Sequence, residues 1–263
     1  MSDEPTATEP ARVPGATDPR ALREVLLAFV GVAAGTWIFT RVGQSPPLDA
    51  YVHLAVGVLF LFAAIELAAR SPGGLRRHGL ALAGLFDPAD PAPTGVLGGV
   101  TDLVRAVRQA TRPALREVAF ALWVAAVIFP PFVAGFYFWN APARSFALVL
   151  PEAPLSYLLT QLVVTALPEE AFFRGYAQSR LGDAFARRVT FLGASVSPAA
   201  LLTQAALFAV IHVVAEFDPR RLAVLFPALL FGWLRARRGG IGASVVMHAL
   251  SNVLSDLLTR GWL

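Results

Sequence analysis

The sequence predicts an all-α fold: a polytopic transmembrane helix bundle of about seven spans, with amphipathic interfacial helices. Three observations carry that expectation. The chain is 56% hydrophobic and only 15% charged, well under the roughly 25% charged share of ordinary soluble domains. Stretches without Asp, Glu, Lys or Arg cover residues 25–40, 50–65, 118–143, 153–168, 189–215, 222–234 and 239–255, and most approach the roughly 20 residues that a helix needs to cross the hydrocarbon core. The arginines, finally, are divided very unequally between the segments joining those stretches. A soluble protein with several buried helices is the competing reading.

Taken in order, residues 1–20 are rich in Pro, Thr and acids and lack the basic start and apolar core of a signal peptide. They are expected to form a disordered tail, leaving the first span as a retained anchor. Between spans two and three lies segment 70–116, too long for a plain loop. "SPGG" at 71–74 breaks the chain, and "DPADPAPTGVLGG" at 87–99 reads as a linker. Residues 75–86 and 100–111 place Arg and apolar residues at helical spacing, which suits amphipathic helices on the membrane surface or a solvated hairpin. Pro130 and Pro131 should kink or break the third span. The sixth stretch, at thirteen residues, is short and needs snorkelling arginines or shielding neighbours. The organisation is thus a tail at 1–20, N-terminal transmembrane helices over 21–145 containing segment 70–116, and a C-terminal membrane core over 146–263.

Sidedness follows from the arginines. All 22 basic residues are Arg and none is Lys, a composition that suggests a high-GC bacterial genome. With the N-terminus inside and seven alternating spans, the inner segments hold sixteen arginines and the outer ones five, Arg174 lying within a span. This obeys the positive-inside rule and puts the N-terminus in the cytosol of a bacterial inner membrane. The basic balance therefore points to anionic lipid headgroups and away from nucleic acid. The chain has no cysteine, so it holds neither disulfide nor thiolate metal site.

Charges inside such a bundle need a reason. "LPEEAFFRGY" at 167–176 follows sixteen uncharged residues. Glu170 and Arg174, four apart, share a helix face and can pair. Glu169 points about 100° away and has no partner within the motif; an unpartnered carboxylate held from water is suited to general acid–base work. Pro168 loosens the helix ladder there. A helix end at the headgroups is the plainer explanation. "FAVIHVV" at 208–214 sets His212 in a span beginning at Pro198, and "VMHALSN" at 246–252 sets His248 and Asn252 on one face of the last span. Singly, a core histidine or an interhelical hydrogen bond explains each. Jointly they place two of only four histidines in spans that accompany a glutamate pair.

The order Glu169-Glu170-Ala171-Phe172-Phe173-Arg174, then Phe208 with His212, then His248 with Asn252 resembles the CPBP family of CAAX proteases and bacteriocin-processing enzymes. These are glutamic-type intramembrane proteases, long described as metalloproteases. Gly175, Tyr176 and Gln178 continue the likeness, which covers roughly residues 150–258 and makes 146–263 the catalytic core. The resemblance implies an endopeptidase acting on a membrane-anchored protein or peptide. Glu169 and His212 would polarise the attacking water, His248 and Asn252 would donate hydrogen bonds to the oxyanion, and Glu170 and Arg174 would hold the motif helix. It implies no cofactor. Zinc is the rival, with Glu169, His212 and His248 as ligands, although H-E-x-x-H is absent. Prenylated C-a-a-X tails, bacteriocin precursors and C-terminal sorting anchors of the myxosortase kind are the substrates such relatives suggest. A transporter or proton relay, and a non-catalytic immunity or scaffold protein, are the alternative functions.

One expectation is awkward. Glu169 lies some fifteen residues from the outer start of its span and His212 some fourteen from the inner start of its own. At about 1.5 Å per residue, simple end-to-end spans leave the two roughly 10 Å apart in depth.

Overall fold

The structure, a computed structural model, describes residues 17–80 and 96–263, excluding the side chains of 96–107, 109 and 110. Of the tail expected at 1–20, residues 1–16 lie outside the described residues. Helix α1 (Pro19–Val42) begins within the remainder, with proline at its start. Asp18 caps it by accepting the Arg20 N–H at 3.0 Å, which satisfies one of the donors a helix start leaves open.

Helix α2 (Val52–Arg70) runs back beside α1. The surface helix expected at 75–86 does not form as such. Only α3 (Gly74–Arg77) is helical, His78 and Leu80 are buried against the bundle, and 81–86 lie outside the described residues. The linker expected at 87–99 likewise lies outside them as far as 95. From 96 onwards the chain is already helical. α4 (Val96–Asn140) takes in the stretch 100–111 without interruption, so that stretch is not a separate interfacial helix. Nor do Pro130 and Pro131 break it. Each removes one donor, leaving the Ala126 and Val127 carbonyls unpaired within the helix, a loss that membrane helices tolerate.

After an extended segment, the chain forms a continuous rod over 154–184. Its parts are α5 (Pro154–Leu159), a π-helical stretch Thr160–Ala166, α6 (Leu167–Glu170), a second π-helical stretch Ala171–Ala177, and α7 (Gln178–Ala184). Strands β1 (Val189–Phe191) and β2 (Ala194–Val196) then pair antiparallel. Leu192 and Gly193 turn the hairpin with φ of 45° and 74°, the positive pair that a two-residue hairpin turn requires. Ser197 caps α8 (Pro198–Glu216). α9 (Leu225–Arg238) and α10 (Gly242–Trp262) complete the bundle.

This is an all-α polytopic membrane bundle, the small hairpin apart. Among the described residues, four helical stretches are long and apolar enough to cross a membrane: Pro19–Val42, Asp49–Arg70, Thr111–Asn140 and Pro198–Glu216. The count of seven is not reached on that measure. α9 has only fourteen residues, and the rod is divided by its π-helical stretches.

The core sits where α2 and α8 clasp the rod. Phe60 of α2 meets Phe172 and Phe173 at ring distances of 5.6 and 5.7 Å, and Phe173 meets Phe208 of α8 edge-on at 5.0 Å. Gly57 lets α2 press on the first π-helical stretch, since a Cβ there would stand 2.6 Å from the Val164 carbonyl oxygen. Large apolar side chains such as Phe62, Trp123, Phe138 and Phe226 face outward, as a lipid-facing surface requires.

Candidate active site

The rod settles the question of depth. Position 169 is fifteen residues before the rod's end at 184, and 212 is fourteen after the start of α8 at 198. The hairpin joins those two ends, so Glu169 and His212 stand at the same height. The helix carrying Glu169 is longer than its uncharged stretch and continues past it.

Glu170 and Arg174 form the expected pair, Nη1 to Oε1 at 3.0 Å, and both side chains are wholly enclosed. The Arg174 guanidinium lies 4.1 Å from the Phe208 ring centre and 5.2 Å from that of Phe231, and its Nη2 donates to the Ala228 carbonyl at 3.4 Å. Aromatic faces thus help compensate a buried cation. Phe208, the aromatic position of the second motif, also packs against the rings of His212 and His248 at 4.5 and 5.8 Å.

Glu169 is placed differently. Its side chain keeps 18% exposure and that of His212 keeps 22%, so both reach the open face of the site. The Glu169 Oε2 has no hydrogen-bond partner, yet His212 Nε2 lies 3.9 Å from it and His248 Nε2 3.8 Å. These gaps exceed a hydrogen bond and suit a small bridging group.

The other ring nitrogens fix the protons. His212 Nδ1 is 2.8 Å from the Phe208 carbonyl oxygen, an acceptor only, so Nδ1 carries hydrogen and a neutral ring offers Nε2 as a lone pair. His248 Nδ1 is 2.9 Å from Glu170 Oε1, the oxygen that also faces Arg174 Nη1 at 3.0 Å; against the carboxylate of that ion pair, Nδ1 donates here too. His248 can therefore donate through Nε2 only when both of its nitrogens are protonated. Its ring stacks on Phe231 at 5.0 Å.

Asn252, one turn further along α10, donates from Nδ2 to Gln161 Oε1 at 2.9 Å, leaving its second amide hydrogen available. The three motifs are thus brought together, all of Glu169, Glu170, Arg174, Phe208, His212, His248 and Asn252. Sequence reasoning missed Gln161 and Phe231. Gln161 carried a signal, being a polar side chain in an uncharged span eight residues before Glu169; Phe231 is one apolar residue among many and carried none. As for metal, among the described residues no three His, Asp or Glu side chains are arranged to hold an ion.

Residues 151–254 match the family described as type II CAAX prenyl endopeptidase Rce1-like. No curated protein and no solved structure matches the chain. The likeness drawn from the three motifs is borne out over that stretch.

Proposed function

We propose, on the premise that residues 151–254 form an Rce1-like endopeptidase domain, that this integral membrane protease cleaves its membrane-associated protein substrate with a water activated by Glu169 and His212. The observation that carries the reading is the convergence of one enclosed, unpartnered carboxylate oxygen and two imidazole Nε2 atoms at 3.8 and 3.9 Å, on side chains of which Glu169 and His212 stay partly exposed. A water between Glu169 and His212 finds two acceptors and donates to both, which leaves its lone pairs to attack. As its oxygen bonds to the scissile carbonyl carbon, Glu169 takes one proton. When the C–N bond breaks, Glu169 returns that proton to the leaving amine.

The carbonyl oxygen becomes an oxyanion and needs fixed donors. Asn252 supplies its second amide hydrogen, oriented by Gln161. His248 supplies Nε2–H in its doubly protonated form, a charge that Glu170 and Glu169 on either side would stabilise. Glu170 and Arg174 hold the frame; Arg174 is enclosed and out of reach of substrate. Zinc on Glu169, His212 and His248 does not fit this arrangement well. A tetrahedral ion with bonds of about 2.0–2.1 Å brings its ligands within about 3.5 Å of each other, and the two imidazole nitrogens stand farther than that from Oε2. The site is proposed to work without a cofactor.

A bacterial inner membrane with the N-terminus cytosolic completes the proposal, and the substrate class we favour is a C-terminal sorting anchor. The test is a comparison of protein termini in membrane and secreted fractions from cells with and without the gene. New termini that depend on the gene, at a transmembrane boundary, are expected. Identical termini would count against a protease of this kind, and termini confined to soluble proteins would count against the membrane-anchored substrate.

A further inference from the structure

Away from the proposed catalytic groups, the arginine-rich end of the bundle encloses a cavity of about 270 Å³ whose lining includes Arg77, Ser179, Arg188, Ser195, Ser197 and Arg235. Four elements build it. Ser179 comes from α7, Arg188 precedes β1, Ser195 lies on β2 with Ser197 at the start of α8, and Arg235 comes from α9. The hairpin is tied to α9 by the Trp233 indole N–H, which donates to the Phe191 carbonyl at 3.2 Å. The cavity is therefore framed by structure on several sides, with Ser197 buried at its floor and Arg188 and Ser195 exposed at its mouth.

Its charge is unbalanced. No carboxylate is among the lining residues. Arg77 is neutralised by Asp183, which it pairs with directly. Arg188 and Arg235 have no ion-pair partner among the described residues. Arg235 spends Nη2 on the Arg77 carbonyl and the Ser179 hydroxyl, both at 3.1 Å, while its Nε is enclosed with no hydrogen-bond partner. Two unpaired guanidiniums lining one void repel each other. An anion in the cavity would relieve that repulsion.

We infer that this cavity is a binding site for a phosphate group. Guanidinium forks and serine hydroxyls that approach from different elements suit a tetrahedral oxyanion with several acceptor oxygens. A planar carboxylate would leave part of that donor set unused. Phospholipid headgroups and free phosphate share this chemistry, and the position at the arginine-rich end of the bundle gives the headgroup access.

The experiment uses the full-length protein in a maltoside detergent, with thermal unfolding followed at constant ionic strength. One arm titrates inorganic phosphate. The other adds phosphatidylglycerol to the micelles or, as the phosphate-free reference, diacylglycerol at the same mole fraction. Arg188→Gln and Ser195→Ala alter exposed residues at the mouth, and Arg187→Gln is a control of equal charge change outside the lining. A charged hydrogen bond of about 1.5–3 kcal/mol makes the expected loss of apparent affinity for Arg188→Gln about 10-fold or more, with Ser195→Ala weaker and Arg187→Gln unchanged. Stabilisation by inorganic phosphate with that variant pattern assigns the site to the free ion. Stabilisation by phosphatidylglycerol alone, with the same pattern, assigns it to the headgroup. Equal losses in Arg187→Gln and Arg188→Gln, or no stabilisation in either arm, would overturn the inference.

Discussion

The sealed pair of Glu170 and Arg174 offers a quantitative test of how the site is held. Both side chains are fully enclosed, 3.0 Å apart. Glu170→Gln keeps the shape and preserves an acceptor for His248 Nδ1, but leaves the Arg174 charge buried with only aromatic rings and one 3.4 Å carbonyl contact. Breaking a buried ion pair from one side costs about 3–5 kcal/mol. Arg174→Met leaves the carboxylate without its cationic partner, with His248 Nδ1 as the remaining donor, and also forfeits the aromatic contacts, worth about 2 kcal/mol or more when desolvated. Removing both charges at once leaves neither partner stranded. The double variant should therefore lose at least about 2 kcal/mol less than the sum of the two single losses. The assay is reversible unfolding of the purified protein in mixed micelles, with helicity followed as denaturing detergent is added. Losses that add to within about 0.5 kcal/mol, the margin for independent sites, would show that the two charges do not depend on one another and would refute the argument.

Two further outcomes are expected. Asn252→Ala should lower kcat by about 100-fold, as loss of one oxyanion donor does; Gln161→Ala should lower it by less, and the double variant should be no worse than Asn252→Ala, because Gln161 acts only through Asn252. Single-turnover rates on the substrate found by terminus profiling would decide this, and independent effects would remove Gln161 from the site. His78 is buried beside the rod, where desolvation pushes its pKa below the usual 6.5 despite the bond to the Gly74 carbonyl. A base with a lowered folded-state pKa favours the neutral ring, so its contribution is complete above about pH 6.5 and is lost as pH falls through the lowered folded value. Thermal stability should decline on acidification from about pH 6.5, and more steeply in the wild type than in His78→Gln; parallel profiles would contradict the assignment.

What the sequence made legible was chemistry at fixed spacing. Glu170 with Arg174 and His248 with Asn252 lie four apart, and one helical turn puts such residues on a common face whatever surrounds them. Uncharged runs likewise announced the membrane. Relations between helices were far less legible. That His248 turns Nδ1 to Glu170, and so needs a second proton before it can donate, depends on how α10 lies against the rod, and no spacing encodes it. The expected depth mismatch arose from taking the uncharged run 153–168 as the whole span. The rod goes on to 184 because Arg174 is neutralised inside it by Glu170, so a charge there marks no helix end. Segment 75–86 misled for a related reason. Its helical spacing of apolar residues is real, but His78 and Leu80 are buried against the bundle and the helix stops at Arg77. Of the kink or break expected at Pro130 and Pro131 the break does not occur, since a membrane helix tolerates a missing donor where its surroundings satisfy the freed carbonyls.

The proposed mechanism depends on Glu169 as the group that takes the proton from water. The direct measurement is single-turnover cleavage by purified Glu169→Gln and wild-type protein in detergent, both after prolonged chelation. Glutamine keeps the volume and polarity of the side chain but cannot accept that proton. The chelated wild type is expected to cleave still, while Glu169→Gln, equally well folded, shows no turnover. Turnover by Glu169→Gln comparable to the wild type, or loss of wild-type turnover on chelation with recovery on added zinc, would contradict that mechanism.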